Sequence, residues 1–140
     1  MKIIKLLSAS LLSVIIFTSC EQTDNVSECD IDGAVCTTEF RTVFMTLKTS
    51  SGTPFVLDSV VVTKGGEKIF SEKTETISSG LFPVITDSEM NDIVKEGSQV
   101  TFKGYSSGQE IVSEDYKVGH DCCHVVFIQG NQDLVLSVEN

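Results

Sequence analysis

The sequence predicts an all-β protein, an antiparallel β-sandwich of about seven to eight strands with one short helix near residues 87–95. Three observations carry this. From Arg41 onward the chain breaks into short runs rich in β-branched and aromatic residues. Clusters of Gly, Ser and Asn separate those runs at regular spacing, the rhythm of strands and tight turns. A single stretch, Thr86 to Gly97, carries helical spacing instead.

The runs in order are Phe40–Lys48, Val56–Thr63, Lys68–Lys73, Leu81–Ile85, Gln99–Tyr105, Glu110–Val118, Cys122–Ile128 and Leu134–Val138. Lys64-Gly65-Gly66-Glu67 supplies the glycines that a tight hairpin needs for positive φ, and Ser106-Ser107-Gly108 and Gln129-Gly130-Asn131-Gln132 read as hairpin loops for the same reason. Strands joined in this way are expected to be antiparallel. In the second run, period-two alternation puts Val56, Asp58, Val60 and Val62 on one face and Leu57, Ser59 and Val61 on the other. In Thr86-Asp87-Ser88-Glu89 the residues match a capping box, Met90, Ile93 and Val94 follow at helical spacing, and Gly97 supplies a stop. This segment is expected to cross between two strands and to cover an open end of the sandwich.

The N-terminus has a different character. Lys2 and Lys5 precede an apolar run, Leu6 to Phe17, that is too short for a permanent membrane span, and Phe17-Thr18-Ser19-Cys20 closes it with small residues. This order resembles the lipobox of exported bacterial lipoproteins, in a form similar to those of the Bacteroidota, with Phe17 where Leu is commoner. It implies cleavage before Cys20, acylation of Cys20 and a lipid-anchored place in the cell envelope, at the outer membrane, facing the periplasm or the surface. Acyl chains contribute about 0.8 kcal/mol per buried methylene, so several of them hold a protein at the membrane almost irreversibly. Residues 1–19 are therefore read as a signal peptide, and residues 20–38 as a lipidated acidic tether with a cysteine-containing leading segment. Residues 39–140 form the sandwich domain.

Residues 20–140 retain 8 basic and all 20 acidic side chains, a net charge of −12. Arg41 is the one arginine, and the chain has no basic cluster, so a nucleic-acid partner is excluded on charge. Setting Cys20 aside for lipid leaves Cys29, Cys36, Cys122 and Cys123, an even number suited to disulfides in an oxidising compartment. A bond between the adjacent Cys122 and Cys123 would need a strained ring. One or two long-range bonds from the Cys29–Cys36 segment to Cys122-Cys123 are expected, with the connectivity open. Each would close a loop of nearly ninety residues and stabilise the fold by roughly 4 kcal/mol.

Two places resemble the carboxypeptidase regulatory-like domains, which are transthyretin-like β-sandwiches. The first is Ser51-Gly52-Thr53-Pro54 followed by Asp58-Ser59-Val60-Val61-Val62. The second runs from Gly104-Tyr105 through Tyr116-Lys117-Val118-Gly119-His120-Asp121-Cys122-Cys123-His124-Val125 to a last strand at Leu134–Leu136. Together they cover about residues 40–138. The resemblance implies an immunoglobulin- or transthyretin-like sandwich with a non-catalytic, accessory role, and it narrows the fold more than the function. The double cysteine and the helical insertion depart from the pattern and leave the strand order open. Taken whole, the chain resembles the small surface lipoproteins of the Bacteroidota.

His120-Asp121-Cys122-Cys123-His124 is the densest set of potential ligands. On a continuous strand His120, Cys122 and His124 share a face and offer zinc imidazole and thiolate, although oxidation to disulfide competes for the thiol. No cofactor is otherwise expected, and the chain has no Cys-x-x-Cys redox motif. The Asp30-Ile31-Asp32-Gly33 turn is oxygen-rich but lacks the ligand spacing of a calcium loop. Asp58-Ser59-Val60 resembles an O-glycosylation site of exported Bacteroidota proteins, which would place a glycan on Ser59, and Asn25-Val26-Ser27 fits an N-glycosylation sequon. No nucleophile elbow, zinc-protease helix or phosphate loop is present. With no Trp and only Tyr105 and Tyr116, an aromatic sugar platform is thin. The expected function is that of a non-catalytic accessory, adhesion or binding module. It would meet the membrane through its lipid and an envelope protein or glycan through loops or a strand edge. Metal binding is the alternative, and a small hydrolase a further one.

Overall fold

In a computed structural model of the chain, structure is described for Cys29, residues 35–73 and residues 79–137. The signal peptide expected over 1–19, Cys20, the tether, Asn25, the Asp30–Gly33 turn and Val138 lie outside the described residues. Among the described residues there are eight strands: β1 Thr42–Thr49, β2 Ser59–Lys64, β3 Glu67–Lys73, β4 Leu81–Thr86, β5 Ser98–Ser106, β6 Gln109–His120, β7 Val125–Gln129 and β8 Asp133–Leu136. They form two sheets, one ordered β4-β1-β8 and the other β3-β2-β5-β6-β7. The expected all-β sandwich is the fold observed.

Alternation along the strands builds the layer between the sheets. Val43, Met45 and Leu47 of β1 and Phe82, Val84 and Ile85 of β4 are buried from one side. From the other come Val60 and Val62 of β2, Val100 and Phe102 of β5, and Val112, Tyr116 and Val118 of β6, all in one contiguous core. Pro83, which has no N–H to donate, sits in β4 at the edge of its sheet, where a proline removes no ladder bond on the open side. The Lys64–Glu67 and Ser106–Gln109 connections join antiparallel pairs as expected.

Four local expectations are corrected. Leu57 is fully buried and Val56 is exposed, because β2 begins only at Ser59 and the alternation does not extend back through Asp58. Space for Leu57 comes from Gly104, where a Cβ would lie 2.5 Å from Leu57 Cδ1 and 2.7 Å from Val112 Cγ1. The helix is a 3-10 helix over Asp87–Asp92, shorter than 87–95. Its capping box forms, with Glu89 accepting from the Thr86 N–H at 3.0 Å and Thr86 Oγ1 accepting from the Ser88 N–H at 3.2 Å. Both Ile93, the extended C-cap residue, and Val94 lie beyond the helix, and Ile93 is buried whereas Val94 is exposed.

Gln129–Gln132 is not a hairpin loop. It carries the chain from one sheet to the other, and β8 pairs parallel with β1 from Thr46↔Asp133 to Thr49↔Leu136. Tyr116 Oη donates to the Asn131 carbonyl at 2.7 Å, Gln132 Nε2 donates to the Phe44 carbonyl at 2.8 Å, and the Thr46 N–H donates to the Gln132 carbonyl at 2.6 Å. These bonds satisfy the crossover without a hairpin ladder. Lastly, the run expected from Cys122 starts as a strand only at Val125, and residues 121–124 form a turn after β6.

Candidate functional site

The ionisable and sulfur-bearing side chains converge at that turn. Asp121 builds it: Oδ1 accepts from the Cys123 N–H at 3.0 Å and the His124 N–H at 2.7 Å, while the Asp121 N–H donates to the His124 carbonyl at 3.0 Å. Those bonds from His124 and Cys123 hold the Asp121 carboxyl below its ordinary value against a smaller opposing effect of burial. Cys122 occupies the left-handed region at φ 76°, which reverses the chain and points the two neighbouring thiols at different parts of the leading segment.

Both thiols are bonded there, Cys122 to Cys29 and Cys123 to Cys36. The long-range pairing is thus the one observed, with the connectivity resolved as 29–122 and 36–123. Beside the second bond runs a chain of hydrogen bonds. Thr37 Oγ1 lies 2.9 Å from His124 Nε2, and His124 Nδ1 lies 2.8 Å from Asp87 Oδ2. A carboxylate only accepts, so the hydrogen sits on Nδ1. In the neutral ring Nε2 then accepts from the Thr37 hydroxyl. Asp87 also accepts from the Arg41 N–H and the Val125 N–H, both at 2.8 Å. Burial works to raise the Asp87 carboxyl, but the bonds from His124, Arg41 and Val125 outweigh it and set the group below its ordinary value.

The leading segment is therefore clamped three ways to the β6–β7 turn and to the start of the 3-10 helix. Two clamps are covalent and one is a relay of polar contacts. The relay also joins the beginnings of β1 and β7, which lie in different sheets.

The ligand set His120, Cys122 and His124 is divided by the turn. His124 is committed to Asp87 and Thr37. His120 is buried against the other disulfide, its Nδ1 accepting from the Cys122 N–H at 3.3 Å and lying 3.7 Å from Cys29 Sγ. Ser59 lies half-buried at the start of β2, opposite Lys73 and Tyr105 in the two flanking strands. Its neighbour Asp58 caps the β5–β6 hairpin by accepting from the Ser107 N–H.

Sequence reasoning found the four cysteines but missed Thr37 and the second role of Asp87. Asp87 is legible as a helix-start acid. Its tie to His124, 37 residues on, leaves no spacing pattern to read.

Near the clamp, Phe40, Phe44 and Phe127 are partly exposed along a shallow groove between the start of β1 and β7. Among the described residues no helix is long and apolar enough to cross a membrane. Comparison with protein families, with curated proteins and with solved structures finds no match for this chain.

Proposed function

We propose that the chain is an exported lipoprotein of the transthyretin-like kind. On this reading it is anchored through Cys20 at the outer membrane and works as a non-catalytic accessory, adhesion or binding module. The observation that carries the reading is the pair of disulfides fastening Cys29 and Cys36, the first cysteines after the tether, to the β6–β7 turn. Disulfides persist in oxidising compartments, which suits export. A pull on the anchor would enter the domain at Cys29 and pass at once into the end of β6, a strand in the interior of the larger sheet. The partner surface would be a sheet edge or the groove flanked by Phe40, Phe44 and Phe127, where a protein strand or a glycan can meet backbone groups and apolar side chains.

The test is metabolic labelling of bacteria expressing the chain with an alkyne fatty acid. Label on the wild-type chain that is lost in Cys20→Ala supports the anchor, and an unlabelled wild-type chain overturns it.

One observation favours hydrolysis as a second reading. Thr37, His124 and Asp87 stand at the spacing of a nucleophile, a base and its orienting acid. The groove beside them is lined by Arg41 and Val125, and its lining includes neither Thr37 nor His124. Turnover of a chromogenic acetate ester that His124→Ala abolishes would promote this reading, and absence of turnover would retire it.

A further inference from the structure

His120 has no part in the polar relay. Its ring is buried, 8% exposed, at the end of β6. The Cys122 N–H donates to Nδ1 at 3.3 Å, which puts the hydrogen of the neutral ring on Nε2; the Nδ1 lone pair faces the sulfur side and is exchangeable for a metal only by giving up that one long hydrogen bond. A ring nitrogen of His120 and the sulfurs of Cys29 and Cys122 all lie within 4.8 Å of one another, with Nδ1 3.7 Å from Cys29 Sγ. Tetrahedral zinc, with bonds of about 2.0–2.3 Å, spaces its ligand atoms roughly 3.3–3.8 Å apart, a separation that Nδ1 and Cys29 Sγ already have at 3.7 Å and that the two bonded sulfurs can reach only once the disulfide opens. Two sulfurs and a neutral imidazole nitrogen form a Cys2His set with one position left for water.

We propose that Cys29, Cys122 and His120 form a thiol-gated zinc-type site, closed while Cys29–Cys122 is a disulfide and opened by its reduction. The site stands on the geometry of this cluster, whether or not Cys20 is acylated. It replaces His124 of the sequence-based set with Cys29, a residue 91 positions from His120 in sequence.

The chemistry balances with a dithiol reductant. The dithiol gives two electrons and two protons to the disulfide, the S–S bond breaks to two thiols, and the reductant leaves as its own disulfide. The metal ion then displaces both thiol protons to solvent, replaces the Cys122 N–H at the Nδ1 lone pair, and takes the two thiolates and Nδ1 as ligands. While Cys36–Cys123 is closed it holds the leading segment beside the turn, and when both disulfides are reduced the Thr37–His124 contact remains to keep the Cys29 thiol near Cys122. That high effective concentration favours chelation over drift. Metal binding would also restore the clamp that reduction had released.

The test uses the full chain in detergent, reduced under argon, freed of reductant and titrated with Co2+ alone. The expected result is one equivalent bound with the intense visible bands of four-coordinate cobalt–thiolate, and none with the oxidised chain. Binding should weaken by roughly tenfold or more in His120→Ala and in Cys29→Ser. In His124→Ala and in the Cys36→Ser/Cys123→Ser pair, which loosen the leading segment but remove no ligand, the cobalt–thiolate bands should persist with a smaller loss of affinity than in His120→Ala or Cys29→Ser. No visible band, or an unchanged band in His120→Ala, overturns the site.

Should His120→Ala fail to fold, alkylation mapping of the reduced wild-type chain with and without Zn2+ decides. Protection of Cys29 and Cys122 with reaction at Cys36 and Cys123 supports the site. Equal protection of all four, or of none, refutes it.

Discussion

Opening the two disulfides one at a time and then together gives the sharpest quantitative check on the clamp. The Cys29–Cys122 bond spans 93 residues and the Cys36–Cys123 bond spans 87. Alone, either would remove loop-closure entropy worth about 4.6 kcal/mol from the unfolded chain. They do not act alone. Once one is closed, the other closes only the small ring formed by the 29–36 segment and the 122–123 step, roughly 8 residues, worth about 2.5 kcal/mol. Cys29→Ser/Cys122→Ser and Cys36→Ser/Cys123→Ser should therefore each cost about 2.5 kcal/mol, and the fourfold variant about 7 kcal/mol.

A loss of that size consumes most of the stability of an ordinary domain, so the fourfold variant should be largely unfolded in modest denaturant. With no Trp in the chain, far-ultraviolet circular dichroism in a urea titration is the suitable assay. A fourfold loss no greater than the sum of the two pair losses would refute the shared-loop reasoning. So would a loss near 4.6 kcal/mol for either pair on its own.

The polar relay predicts a pH dependence. The folded carboxyls of Asp87 and Asp121 lie below the ordinary 3.8, so their stabilisation is full above that pH and drains away as the pH falls through the folded values. Asp87→Asn should cost stability at pH 7 and much less at pH 2–3, read as the gap between urea midpoints; an equal gap at both pH values would exclude the carboxylate as its source. Tyr116→Phe removes the donor to the Asn131 carbonyl and should cost about 1–2 kcal/mol, with amide exchange quickening most in β8. Uniform quickening across both sheets would mean that the bond does not hold the crossover. In Gly130→Ala the new Cβ would lie 2.4 Å from Tyr116 Cδ1 at a φ of 140°, so a loss of about 2 kcal/mol is expected; a loss no larger than that of Gly108→Ala, which has a positive φ but open space, would contradict the packing argument.

The features legible in the sequence were those encoded locally. Val60-x-Val62 places both valines on one face by period two, Gly65-Gly66 marks its turn, and Thr86-x-x-Glu89 its cap, because neighbours within four residues settle each one. The parallel β8 was hidden for the opposite reason. Gly130-Asn131 has the composition of a hairpin, and what makes it a crossover is the Tyr116 hydroxyl on the Asn131 carbonyl and the Gln132 bridge to β1, both long-range. Alternation misplaced Leu57 because its pocket is the missing side chain of Gly104, which lies in β5, with β2, β3 and β4 between the two in sequence.

At the site, cysteine arithmetic and the strain of joining Cys122 to Cys123 indicated the long-range bonds. The left-handed Cys122 that separates the two histidines had no signature, since left-handed non-glycine residues are set by tertiary closure.

The measurement that bears most directly on the anchored clamp is peptide mass spectrometry of the chain purified without reductant from bacterial membranes. The account predicts an acylated N-terminal Cys20 peptide, with Cys29 linked to Cys122 and Cys36 linked to Cys123. A chain that retains residues 1–19 with an unmodified Cys20, or that carries free thiols at Cys122 and Cys123, would contradict it.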